Sequence, residues 1–169
     1  CQTTFKQLSM WNKEGIKKIK VAINISSLQL NSSKLKFNIK ELLKKYSINP
    51  SNIEFELTET ALMNDKNKEL LTLQALADLG INISLDDFGT GHSSLLRLVT
   101  LPLSTMKIDK TFIKDIDVDS SKSEIVKVII QLASSLQLDV VAEGIETKSE
   151  YKFLKECGCK FAQGFYMSK

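Results

Sequence analysis

Two aspartates, Asp86 and Asp87, stand side by side where the apolar run INISL gives way to the glycine-bearing loop FGTGHSS. Carboxylates this close repel each other unless a cation or a proton sits between them. Other carboxylates and amides fall at comparable places along the chain: Asn24 after VAI, Glu56 within IEFELT, Glu143 in VVAEG and Gln163 in FAQGF. Several carboxylates plus an amide oxygen are hard ligands, suited to Mg²⁺ or Mn²⁺ rather than to zinc. The single histidine, His92, lies in the loop, so this set offers no imidazole. One carboxylate bridging two ions, with its neighbour on the second ion, accounts for the paired aspartates. Two such metals can drive phosphoester hydrolysis by activating water and clamping the leaving oxygen. Lys107 can hold the attacking water or offset phosphate charge.

These residues need elements that bring them together. Six strand-like runs, at 20–25, 52–58, 81–86, 103–109, 138–144 and 160–166, alternate with helical patterns. Leu35, Ile39, Leu42, Leu43 and Tyr46 make one stripe of a helix near 33–46, and a helix near 65–79 stops at Gly80. A short apolar segment spans 94–99. Ser121 with Glu124, and Thr147 with Glu150, have the spacing of capping boxes that open two further helices, the second closing at Gly158. Strands separated by helices predict a parallel sheet, because parallel neighbours need a crossover connection. Read with a period of two, each strand sends one apolar face to the helices. Asn24, Glu56, Asp86, Lys107, Glu143 and Gln163 fall on the other face, near the C-terminal ends. An open antiparallel sheet with one wet face gives the same alternation. The helical connections favour a (β/α) TIM-like barrel, whose sites are built at the C-terminal mouth. About six βα units are present and the opening strands are missing, so the expectation is an incomplete barrel forming a single domain over 1–169.

Each polar residue also has a plainer structural role open to it. Asp87 can cap the turn that follows, Lys107 and Asp109 can form an ion pair, and Glu143 can pair with a surface lysine. Six polar residues at equivalent ends of six consecutive strands are harder to ascribe to chance than any one alone. Composition limits the partners. The chain has 169 residues, 43% hydrophobic and 25% charged, with a net charge of +3. The basic residues are lysines apart from Arg97, and they are spread along the chain, unlike the clustered, arginine-containing footprint of a nucleic-acid binder. Cys1, Cys157 and Cys159 are an odd number, so no disulfide framework is indicated, and they read as reduced thiols of a cytoplasmic protein. There is no membrane-spanning apolar run and no signal peptide, so no membrane contact is expected. The opening CQTTFKQLSMW, with Phe5 and Leu8 three apart, reads as mid-helix and suggests a piece of a longer chain.

The stretches VAINISSLQL (21–30), IEFELTETALM (53–63), SLDDFGTGHSSLLRL (84–98), MKIDKTFIKDI (106–116), VVAEGIET (140–147) and FAQGFYMSK (161–169) resemble, in family order, an EAL-type cyclic di-GMP phosphodiesterase domain. The resemblance implies Asn24, Glu56 and Asp86 as metal ligands, with Asp86 bridging to a second ion that Asp87 also serves. It implies Lys107 as the group that positions the nucleophilic water and Glu143 as a candidate general base. Gln163 would line the metal and substrate pocket, Glu59 would steady the glycine loop, and Glu146 would stand behind the ligands. It further implies two Mg²⁺ or Mn²⁺ ions, cyclic di-GMP as substrate cleaved to linear pGpG, a homodimer, and sensory or GGDEF-type domains in the parent chain. The departures are the Glu-Ala-Leu strand with its neighbouring arginine, which does not occur here, and His92 in place of a loop aromatic. The expectation is therefore an active parent enzyme and a weakly active or inactive 169-residue chain. The alternative is a catalytically silent receptor of the same nucleotide.

Overall fold

The structure, a computed structural model, describes residues 2–16, 19–62, 66–90 and 95–168. It divides into two compact units, Cys1–Ser84 and Leu85–Lys169, and strand β3 (Asn82–Phe88) belongs in part to each.

In the first unit, α1 (Gln2–Lys13) turns Phe5 and Leu8 into the core. Strand β1 (Val21–Asn24) pairs in parallel with β2 (Ile53–Thr58), with Asn24 opposite Glu56. Between them lies α2 (Ser27–Leu30), which the periodicity reading passed over because four residues are too few to show a period. A capping box holds it: Ser26 Oγ accepts from the Gln29 N–H, and Gln29 Oε1 accepts from the Ser26 N–H at 2.9 Å. Helix α3 (Leu35–Tyr46) buries Ile39 and Leu43 on the expected stripe. Helix α4 (Lys66–Ala77) is followed by Gly80 at φ +87°. Ile53, Phe55 and Leu57 are fully buried along one face of β2, as alternation requires. On its other face Glu54 is buried too, with Lys20 at 3.0 Å.

In the second unit the remainder of β3, then β4 (Thr105–Ile108), β5 (Asp139–Ala142) and β6 (Phe161–Ala162), are neighbours in chain order. Pairing is parallel from β4 to β5 and from β5 to β6, and the connections contain α5 (Leu95–Thr100), α6 (Lys110–Ile113), α7 (Ser120–Ser135) and α8 (Lys148–Glu156). The parallel strands and intervening helices are those of the expected TIM-like (β/α) class.

Three expectations change. Helix α7 is not opened by Ser121 and Glu124: the Asp119 carboxylate accepts from the N–H groups of both Ser121 and Lys122, and Glu124 instead pairs with Lys127 at 2.7 Å. An aspartate that satisfies two orphan amides and faces the positive helix end is the stronger cap. Strand β3 runs on to Phe88 rather than ending at Asp86. Strand β6 is only two residues long, because the chain bends at Gly164 to lie against Ile145. A Cβ on Gly164 would collide with the Ile145 backbone, and Tyr166 N–H donates to Ile145 O at 3.0 Å. Among the described residues, no helix is long and apolar enough to cross a membrane.

Candidate active site

Asp86 is an inward residue of β3, where the period of two puts it opposite the buried Leu85. The same period should send Asp87 to the other side. Instead, Asp87 adopts φ +54°, a left-handed conformation that aspartate tolerates better than most residues. Oxygens of Asp86, Asp87 and Glu143 consequently lie within 4.8 Å of one another. Asp87 O accepts from Thr90 Oγ1 at 2.8 Å, and Asp86 Oδ1 accepts from the Asp87 N–H at 3.1 Å, which fixes the turn from both sides. The next residue, Gly89, has φ +97°, and a Cβ there would stand 2.6 Å from the Phe112 ring of α6. The loop can leave the strand against that ring only without a side chain.

Lys107 lies on β4 between β3 and β5, with all four residues of its strand buried. Its Nζ is 3.0 Å from Asp86 Oδ1 and 2.8 Å from Glu143 Oε1. Glu143 directly follows β5 and is aligned by its own N–H, which donates to Ile108 O at 3.1 Å. The ladder continues with Gln163 N–H donating to Ala142 O at 2.8 Å. A cavity of about 650 Å³ opens here, lined by Asp87, Asp109, Lys110, Glu143, Glu146 and Gln163 among others.

The charges of this wall influence one another. Burial, then the charges of Asp86 and Asp109, push the Asp87 carboxyl above its ordinary value, against the opposing pull of Lys107 and Lys110. Burial also works against a charged Asp109, but hydrogen bonds from the Thr111 hydroxyl and N–H and the Lys110 backbone outweigh it and hold that carboxyl below its ordinary value. Asp109 is the N-cap of α6. An ion pair with Lys107 was only one role open to it in the sequence, and the Asp-x-Thr spacing of a side-chain cap was the signal for this one.

The expected residues thus form two described groups. Asp86, Asp87, Lys107 and Glu143 converge in the second unit, with Gln163 and Glu146 lining the same cavity. In the first unit Asn24 and Glu56 are paired across β1 and β2, with Asn24 exposed and Glu56 half-buried, and Glu59 is buried in the 3₁₀ turn after β2. The sequence marks one further carboxylate, Glu150, only as a helix cap. Glu150 is buried and accepts from three backbone N–H groups: Asp115 at 3.2 Å, and Glu146 and Thr147 at 2.9 Å each. His92 and Cys1 lie outside the described residues, and Cys157 and Cys159 are free thiols. Burial raises the pKa of both thiols, as expected of unreactive side chains.

A donor set of carboxylate oxygens without sulfur or imidazole fits a hard divalent cation. Comparison with known proteins gives the wider setting. A model of the EAL domain family matches residues 1–169. The bifunctional diguanylate cyclase/cyclic di-GMP phosphodiesterase MucR of Pseudomonas aeruginosa is 39% identical over 164 residues, which is 97% of this chain and 24% of MucR. The solved structure of PaMucR phosphodiesterase in complex with c-di-GMP superposes with a TM-score of 0.91 at 38% identity, over 99% of this chain and 68% of the other. The manganese/cy-diGMP complex of Klebsiella pneumoniae BlrP1 gives 0.87 at 27% identity, over 97% of this chain and 42% of the other. The chain spans about a fifth to a quarter of the length of the curated relatives it matches.

Proposed function

The chain belongs to the EAL domain family, and from that premise we propose that it carries the centre of a divalent-metal-dependent phosphodiesterase that opens cyclic di-GMP to linear pGpG in second-messenger signalling. The observation that carries the reading is the convergence of Asp86, Asp87 and Glu143 oxygens within 4.8 Å, with Lys107 in contact with two of them, at the edge of a nucleotide-sized cavity. Asp86 and Asp87 are the metal ligands of this group, and Asn24 and Glu56 are assigned the same role. Two Mg²⁺ or Mn²⁺ ions would supply Lewis acidity at the phosphoryl group and lower the pKa of water.

The chain's own residues do the rest. Lys107 is held by its strand beside Asp86 and Glu143, which suits it to orient the oxygen of the attacking water. Glu143, in contact with that ammonium, accepts the water's proton as general base. A new P–O bond forms as the phosphorus bond to the 3′ oxygen breaks, and the proton is returned to the departing oxygen. Gln163 and Glu146 contribute to the cavity wall, and the buried Glu59 is assigned to steadying the glycine loop. The protein is taken to act in the cytoplasm as a homodimer within a multidomain signalling protein. The exposed Leu95, Leu96 and Val99 on α5 are consistent with a protein contact.

The test is turnover of cyclic di-GMP by the full-length protein in Mg²⁺ and in Mn²⁺, followed by chromatography of the product. Linear pGpG should appear, and Asp86→Asn should lower kcat/KM by roughly a thousandfold or more. Binding of the nucleotide without cleavage in either metal would establish the receptor in place of the enzyme.

A further inference from the structure

Three carboxylate oxygens, from Asp86, Asp87 and Glu143, lie within 4.8 Å of one another, a spacing at which like charges repel. The group in contact with two of these residues is itself a cation: the Lys107 ammonium is 3.0 Å from Asp86 and 2.8 Å from Glu143. We infer that Lys107 competes with a divalent ion for this centre: its ammonium holds Asp86 and Glu143 in place, and an ion that takes up their oxygens binds against that hold. This rests on the metal-centre reading above and adds a competition that sets the centre's affinity.

The geometry limits what Lys107 can do instead. It is 8% exposed, and β4 lies between β3 and β5, so its side chain reaches sideways to a carboxylate on each flank. A lysine head on so confined a stem cannot exchange freely into bulk water. It therefore stays beside any incoming ion as a like charge. Two consequences follow: the metal-free fold is stabilised by Lys107, and metal affinity is lower than the carboxylates alone would give.

Lys107→Met keeps the length and apolar stem and removes the charge. In EDTA this variant should melt below wild type. It should also bind Mn²⁺, measured from the electron paramagnetic resonance signal of the free ion, at least roughly tenfold more tightly, as expected from removing one close unit charge. The rise in melting temperature on adding Mn²⁺ should be correspondingly larger, and a variant unfolded in EDTA that folds with Mn²⁺ is the extreme form of the same result. Lys107→Arg retains the charge and should bind Mn²⁺ no more tightly than wild type. Mn²⁺ affinity of Lys107→Met equal to or weaker than wild type overturns the inference while leaving the metal centre standing; absence of Mn²⁺ binding by wild type and variants alike overturns both. If Lys107→Met does not fold in either condition, the wild type decides. Adding Mg²⁺ should shift the Lys107 ε-methylene and ammonium NMR signals, assigned by their loss in Lys107→Arg, and unmoved signals on a metal-bound protein refute the competition.

Discussion

Glu143 and Glu150 lie on either side of one short loop and are neutralised in opposite ways. Glu150 is fixed by three backbone N–H groups that belong to the fold and have nowhere else to go. Glu143 is held by a lysine head at 2.8 Å, a side-chain partner rather than part of the backbone. The difference separates a structural carboxylate from one suited to chemistry. Backbone donors make a charge permanent, whereas a side-chain partner leaves it available. Glu150 joins the turn at Asp115, which follows α6, to Glu146 and Thr147 ahead of α8, so it also holds in place the loop on which Glu143 and Glu146 are carried.

The largest effect expected from this contrast is on stability. Glu150→Ala leaves three backbone donors without their acceptor and should cost about 2–4 kcal/mol in denaturant unfolding. Glu150→Gln keeps only one carbonyl oxygen for two sets of donors and should cost roughly half as much. A loss below about 0.5 kcal/mol in Glu150→Ala would erase the distinction between the two glutamates.

At the exchangeable centre the sign should reverse. Asp87→Asn keeps a residue that accepts the left-handed backbone and removes a like charge beside Asp86. In EDTA it should raise stability by about 0.5 kcal/mol, since solvent screens the pair, while weakening Mn²⁺ binding. The pH dependence follows from the raised carboxyl. Because the fold favours its neutral form, the stability it contributes is complete below the ordinary carboxylate range and is lost as pH rises through its raised value. Asp87→Asn should lack that fall in EDTA melts, and a variant that melts lower than wild type near neutral pH would remove the argument from repulsion.

Asp109 gives the smallest and opposite effect. Its lowered carboxyl contributes stability above the ordinary carboxylate range, lost as pH falls through its lowered value. Thr111→Val removes the hydroxyl hydrogen bond and should cost about 0.5 kcal/mol at neutral pH, with the difference from wild type vanishing in acid. A difference that persists at low pH would mean that Thr111 matters through packing instead.

The parity of the strands made the placing of Lys107 and Glu143 beside Asp86 legible, because alternation is a property of extended chain that sequence displays directly. The same rule separates Asp86 from Asp87, and only the left-handed turn reunites them. No periodicity announces such a turn; the clue was confined to residue type and the glycines that follow. Asp109 and Glu150 were hard to read for a related reason. Their partners are backbone amides, which every residue carries, so sequence shows the acceptor without its donors. The short helices α2 and α6 were likewise invisible to a helical period, although Ser26 with Gln29 and Asp109 with Thr111 held their caps in plain spacing.

The left-handed backbone at Asp87 also bears on how such a centre can be lost by descent. Few side chains sit there without strain, and asparagine, the nearest in shape, is among them. One change there would remove a carboxylate of the proposed metal site while the chain folds as well as before or better. If the proposed centre is a catalyst, the fold itself sets no barrier to its loss at this residue, and the change would show only as the missing charge.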